Sequence, residues 1–238
     1  MSLLKDRFQA AWPLRWLALS LFAVALAACS TTDALKVAPP QTTLAALPTE
    51  KYASIVVDGN SGKVLYEVDS GAPRFPASLT KMMTLYMLFE AIEAGRVSLT
   101  DQIPVSDHAA WQPPSKIGFK PGETLDVETA IRALAVKSAN DVAAAVGEFL
   151  GGSEERFAAL MTAKARSIGM RSTTFRNASG LPDPDQRTTA RDMAVLGIQL
   201  RRRFPTEFAY FGRQVFVIKG RTVKGHNDLI GRVDGADG

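Results

Sequence analysis

Pro76-Ala77-Ser78-Leu79-Thr80-Lys81-Met82-Met83-Thr84-Leu85-Tyr86-Met87-Leu88-Phe89-Glu90-Ala91-Ile92-Glu93-Ala94-Gly95 is the stretch on which the fold turns. Between Ser78 and Ala94 the apolar residues Leu79, Met82, Met83, Leu85, Tyr86, Leu88, Phe89 and Ile92 recur at helical spacing and cover most of the circumference. A helix apolar on nearly every side is a buried central helix. Gly95 is placed to end it as a C-cap. Ser78 and Lys81, three residues apart, share one face at its start. A lysine carried into a buried helix loses water, which lowers its pKa and lets it act as a base toward a hydroxyl. The helix start also offers backbone N–H groups to developing negative charge. The plainer uses of these residues are a helix N-cap for Ser78 and a snorkelling side chain for Lys81. Ser2-Leu3-Leu4-Lys5 repeats the spacing, so the pattern alone decides nothing.

Working outward, Tyr52 to Asp58 is a β-branched run, Gly59-Asn60-Ser61-Gly62 forms turns, and Lys63 to Val68 alternates apolar and polar residues. This predicts a β-hairpin opening the folded part. Helical periodicity returns at 126–137, 141–150, 154–168 and 190–203, and 214–218 with 221–224 reads as strand and turn. Strands bracketing a helical middle predict an α/β (α+β) sandwich, mainly antiparallel, whose first and last strands share one sheet. Without an internal repeat or a break after residue 50, one domain over 51–238 is the economical reading. Ser138-Ala139-Asn140, the chain's only Ser-x-Asn, falls at a helix junction, where both side chains can point into a cleft. The same residues can instead cap the following helix.

The first 28 residues predict a signal peptide. Lys5, Arg7 and Arg15 precede the apolar run Trp16–Ala28, which ends in small residues and is too short to span a bilayer core of about 30 Å. Residues 29–50, rich in Ser, Thr, Ala and Pro, predict a flexible tether. Setting aside residues 1–28, with three basic residues and one acidic, leaves 25 basic against 23 acidic. So small an excess gives no reason to expect a nucleic-acid partner. With one cysteine, Cys29, and two histidines, His108 and His226, no internal disulfide and no zinc-ligand spacing arises.

Taken together, Ser78-x-x-Lys81 and Ser138-x-Asn140 resemble the serine penicillin-recognising enzymes, which combine such elements with a Lys-Thr-Gly. Longer segments sharpen the likeness: Val56-Val57-Asp58 through Gly62-Lys63-Val64-Leu65-Tyr66, Arg74-Phe75-Pro76 through Lys81-Met82-Met83-Thr84, Lys137 to Asp141, Asn177-Ala178-Ser179-Gly180-Leu181, and Thr188-Thr189-Ala190-Arg191-Asp192-Met193-Ala194. From about Tyr52 to Gly238 the chain is similar to the D-alanyl-D-alanine carboxypeptidase family, the low-molecular-mass penicillin-binding proteins. The resemblance implies a β-lactamase/transpeptidase-like fold with a helical subdomain, peptidoglycan stem peptides as substrate, β-lactams as inhibitors, and no metal or organic cofactor. It implies that Ser78 is the acyl-ester nucleophile, Lys81 its proton acceptor, Ser138 a relay to the leaving D-alanine and Asn140 a partner of the substrate backbone. Leu26-Ala27-Ala28-Cys29 resembles a lipoprotein processing site, which implies lipidation of Cys29 and a periplasmic, membrane-attached protein. The alternative is cleavage leaving a free thiol.

The third element is the departure. No Lys-Thr-Gly or Lys-Ser-Gly occurs; Lys116-Ile117-Gly118 and Lys120-Pro121-Gly122 lack the hydroxyl and precede Ser138, and Lys219 and Lys224 are each followed directly by glycine. The expectation is a chain cut short before the strand that carries the element, and therefore inactive as it stands. Two rival readings remain: a non-catalytic envelope lipoprotein that binds cell-wall peptide, and a β-lactamase, for which nothing marks a carboxylate base. A Ser-His-Asp hydrolase is disfavoured, since the chain has no Gly-x-Ser-x-Gly.

Overall fold

A computed structural model describes residues 52–238; the expected signal peptide, the tether and Cys29 lie outside the described residues. The chain opens as the antiparallel hairpin β1 (Ser54–Val57) and β2 (Val64–Val68). Its turn is closed by Asp58, whose Oδ1 accepts from the N–H and hydroxyl of Ser61, both at 2.6 Å. Helix α1 (Thr80–Glu93) follows a 3-10 turn at Ala77–Leu79, so Ser78 stands just ahead of the α-helix rather than inside it. Ala77 has φ +45°, a left-handed conformation that an α-helical first turn does not accommodate. At the other end Gly95, φ +66°, closes a Schellman cap: its N–H reaches the Ile92 carbonyl at 2.9 Å and the Arg96 N–H that of Ala91 at 3.0 Å.

Next come β3 (Gln102–Pro104), α2 (Asp107–Ala110), β4 (Thr124–Asp126), α3 (Val127–Arg132) and a π-helical turn at Ala133–Lys137. Helices α4 (Asn140–Gly151), α5 (Glu154–Ser167) and α6 (Ala190–Arg203) then carry most of the core, followed by α7 (Pro205–Phe208) and the hairpin β5 (Val215–Ile218) with β6 (Arg221–Lys224). The sequence predicted the long helices to within two residues at most ends, and side-chain caps mark the starts of α5 and α6. Ser153 accepts from the Arg156 N–H at 3.2 Å and Thr189 from that of Asp192 at 3.0 Å. The 126–137 segment is less regular than its periodicity suggests, since its second half is the π turn. The short pair β3–β4 and helices α2 and α7 were not legible; each spans three or four residues, too few for a period to show.

Helices α1 and α4 form the centre. Met83, Leu88, Val142, Ala143, Ala144, Ala145 and Val146 are fully buried, and α1 also packs on α5 and α6 while α6 lies on β1. The described strands form three separate two-stranded antiparallel sheets, which corrects the expectation that the first and last strands share one. The β5–β6 hairpin is drawn instead to the π turn and the loop before α4. Phe216 is buried, Lys219 sits 4.2 Å from the Phe119 ring and 2.6 Å from Glu123, and the Gly225 backbone packs beside Val136.

Phe157 of α5, fully buried, fills the space between Gly147 and Ala178. Phe157→Ala is expected to cost about 3–5 kcal/mol through lost burial and the cavity left behind. Urea unfolding of the two forms measures it, and a loss below about 1 kcal/mol would mean that the core collapses to refill the site.

Candidate active site

Four sequence-selected residues meet where α1 begins and α4 begins. Ser78, Lys81 and Ser138 line one cleft of about 960 Å³, whose other walls are mainly apolar residues of β1, α1 and α6. Lys81, the second residue of α1, is 3% exposed. It does not snorkel. Its Nζ donates to Asn140 Oδ1 at 2.8 Å and to the Ser179 carbonyl at 2.6 Å. Burial pushes its pKa down to about 8 from the ordinary lysine value of 10.5. A neutral amine has two N–H bonds and one lone pair. With both N–H bonds committed to these acceptors, the lone pair takes the remaining tetrahedral direction.

Ser78 is exposed to the cleft and does not act as a cap: neither the 3-10 turn nor α1 has a side-chain N-cap bond. The Ser138 hydroxyl is buried and has no hydrogen-bond partner among the described residues. Its backbone is left-handed, φ +57° and ψ +43°, and neither Ser138 nor Asn140 caps α4 through its side chain. A non-glycine residue held there costs about 1–3 kcal/mol, and the surroundings must over-determine it. Here the loop 113–118 does so. Ser115 accepts the Asn140 N–H at 2.7 Å through its carbonyl and donates its hydroxyl to the Lys137 carbonyl at 3.0 Å. Pro113 accepts from Asn140 Nδ2 at 2.9 Å. The carboxylate of Asp141, fully buried, takes the N–H groups of Ile117 at 3.1 Å and Gly118 at 2.8 Å.

Both ends of the Asn140 amide are thus engaged inside the protein, one holding Lys81 and the other the loop. Lys116 and Lys120 stay out of the cleft. The Lys116 amine reaches the Ala110 carbonyl at 3.1 Å, and Lys116 lines a separate dimple of about 270 Å³ with Lys137, Lys219 and Arg221.

Spacing arguments gave no role to the loop 177–180, although its residues belong to the resemblance. The Ser179 carbonyl is the second acceptor of Lys81, and the Ala178 carbonyl accepts from the Thr84 hydroxyl at 2.7 Å. Asn177 Oδ1 takes the Gly180 N–H at 2.7 Å. Backbone carbonyls leave no trace in a residue pattern; the only signal was Gly180 itself. Its φ is +86°, and a Cβ there would lie 1.8 Å from the Ala77 carbonyl oxygen. The loop and the Ser78 turn touch backbone to backbone because this residue has no side chain.

The family described as D-alanyl-D-alanine carboxypeptidase matches residues 40–237. Over 182 residues the chain is 35% identical to the D-alanyl-D-alanine carboxypeptidase DacA of Escherichia coli, covering 74% of this chain and 45% of that protein. It is 36% identical over 151 residues to DacF of Bacillus subtilis, covering 63% and 39%. The chain therefore spans about half, or less, of the length of these relatives. The crystal structure of DacD from Francisella tularensis superposes with a TM-score of 0.70 at 34% identity, over 75% of this chain and 43% of that one. Penicillin-binding protein D2 of Listeria monocytogenes in its cefotaxime-bound form superposes with a TM-score of 0.71 at 27% identity, over 82% and 80%. The expected penicillin-binding-protein fold class is the fold observed.

Gly180→Ala is expected to destabilise the protein by about 3 kcal/mol or more, since the clash with Ala77 adds to left-handed strain. Gly71, with nothing within 4 Å of an added Cβ, is the control, and Gly71→Ala should stay within about 0.5 kcal/mol. Chemical unfolding of both variants reads the contrast, and equal effects would show that the loop can retreat from Ala77.

Proposed function

We propose that this chain, which belongs to the D-alanyl-D-alanine carboxypeptidase family, is a serine-type carboxypeptidase that removes the terminal D-alanine from peptidoglycan stem peptides and is acylated by β-lactams. The observation that carries the reading is the state of Lys81. A buried amine with a pKa near 8, two N–H bonds committed and a place on the same cleft wall as Ser78 is built to accept a proton. A protein that only bound cell-wall peptide would have no use for so costly a group.

In the first half-reaction Lys81 takes the Ser78 hydroxyl proton as Oγ attacks the carbonyl carbon of the penultimate D-alanine. The Ser78 N–H, which no backbone carbonyl among the described residues accepts, can donate to the developing oxyanion. Collapse of the tetrahedral intermediate breaks the C–N bond. The departing amine receives a proton through the Ser138 hydroxyl, whose freedom from internal partners suits a relay. Water then attacks the ester, Ser78 recovers its proton, and the shortened peptide leaves. Asn140 holds Lys81 in this scheme, and its second Nδ2 hydrogen can meet the substrate backbone. Against a β-lactamase, no Asp or Glu is among the described residues that line the cleft.

β-lactams fit the same chemistry, since their strained amide acylates a serine; the relative from Listeria was solved with cefotaxime and with ampicillin bound. We further infer export to the cell envelope from residues 1–28, with Cys29 as the lipid acceptor. Stable anchoring needs more than one acyl chain. Labelled palmitate is expected to enter the precursor and to be absent from Cys29→Ala; a soluble wild-type protein starting near Ser30 would refute it.

Labelled penicillin and peptide mapping test the activity, on a form of the protein that also carries a Lys-Thr-Gly element. The adduct is expected on Ser78, absent in Ser78→Ala, and lost in Lys81→Ala while Lys116→Ala and Lys120→Ala retain it. Because the active form of Lys81 is the neutral one, acylation should rise as pH increases through about 8. At pH 7 roughly a tenth of the amine is neutral. A rate independent of pH from 6 to 10, or an adduct on another residue, would remove Lys81 or Ser78 from the mechanism.

A further inference from the structure

Outside the cleft lies a buried carboxylate that the mechanism above does not use. Glu154, the first residue of α5, is 7% exposed. Its Oε1 accepts the Ala178 N–H at 2.9 Å. From there three consecutive peptide groups are each held by a different side chain. Glu154 holds the one between Asn177 and Ala178. Thr84 of α1 holds the next, through the Ala178 carbonyl at 2.7 Å. The third carries the Ser179 carbonyl that receives the Lys81 amine at 2.6 Å. A rotation of the first peptide group tilts the third, because the links between them are single backbone residues.

We propose that Glu154 is a positioning residue for Lys81: its carboxylate fixes the start of the 177–180 loop and thereby the Ser179 carbonyl that aims the lysine amine at Ser78. Its second oxygen, Oε2, faces His108 of α2, whose Nε2 lies 3.4 Å away and whose Nδ1 lies 2.8 Å from Glu148 of α4. Gln112 Nε2 also approaches His108 Nε2, at 3.0 Å. The charged groups that bear on Glu154 are therefore His108, Glu148 and Glu155, the last its neighbour on α5. Burial raises the pKa of Glu154, opposed by the Ala178 N–H and by His108. Burying an acid at this cost is hard to explain by capping alone, since Ser153 already supplies the side-chain cap of α5.

A merely structural glutamate would affect stability and leave the properties of Lys81 alone. The decisive readout is thus the pH midpoint of β-lactam acylation, which reports Lys81 under the function proposed above and on which this inference rests. Glu154→Ala is expected to lower the acylation rate at pH 7 by tenfold or more. It should also move the midpoint upward from about 8 toward the ordinary lysine value, because a loosened loop admits water beside the amine. Glu154→Gln keeps an oxygen for the Ala178 N–H and should restore the midpoint, with a rate within about threefold of wild type. Met161→Ala, a core truncation on the same helix, controls for lost stability and should leave the midpoint in place. An unchanged midpoint in Glu154→Ala, or an equal shift in Met161→Ala, would overturn the role. Failure of the wild-type protein to acylate would instead sink the function itself.

Discussion

The structure depends on keeping one lysine amine out of water. Lys81 brings a potential charge into the core at the start of the largely buried helix α1. Leaving either of its acceptors unpaired would cost about 1–3 kcal/mol. Its two bonds, to Asn140 and to the Ser179 carbonyl, draw the start of α4 and the 177–180 loop onto α1. Three segments far apart in sequence converge on one atom, and the cleft lies where they meet. The same burial that makes the amine expensive lowers its pKa into the range in which a base works near neutrality.

Strain and close approach surround that atom. Ala77 and Ser138, one beside the nucleophile and one the candidate relay, both adopt positive φ without being glycine. Neither conformation would persist in an isolated peptide. Ala77 is pinned by the backbone of Gly180, and Ser138 by the 113–118 strap that Asn140 and Asp141 hold across the start of α4. The candidate catalytic side chains are held by groups with no proposed chemical role, and those groups are mostly backbone N–H and C=O.

The helices were legible because their signals are local. Caps such as Ser153 and Thr189, the glycine at 95 and an apolar surface running all round residues 80–93 belong to short windows of sequence. Ser78 and Lys81 could be singled out as candidates because three residues of separation is about one helical turn. The start of α1 was misjudged by two residues, since nothing in a propensity reveals that Ala77 will be left-handed. The placement of the last hairpin was misjudged too. Val215–Ile218 and Arg221–Lys224 alternate well enough to be strands, but their partner is settled by Phe216, Phe119 and Val136 packing together.

By itself the sequence determined the buried helix, the serine and lysine at its start, and the Ser-x-Asn at a helix junction, because periodicity and spacing are properties of a chain before it folds. Only the tertiary structure decided that Lys81 is held by a backbone carbonyl, that Asn140 faces it, that Ser138 has a free hydroxyl and that Glu154 stands behind the loop. The three contacts among these each span 24 or more positions, and such contacts arise only when packing brings distant groups within hydrogen-bonding distance.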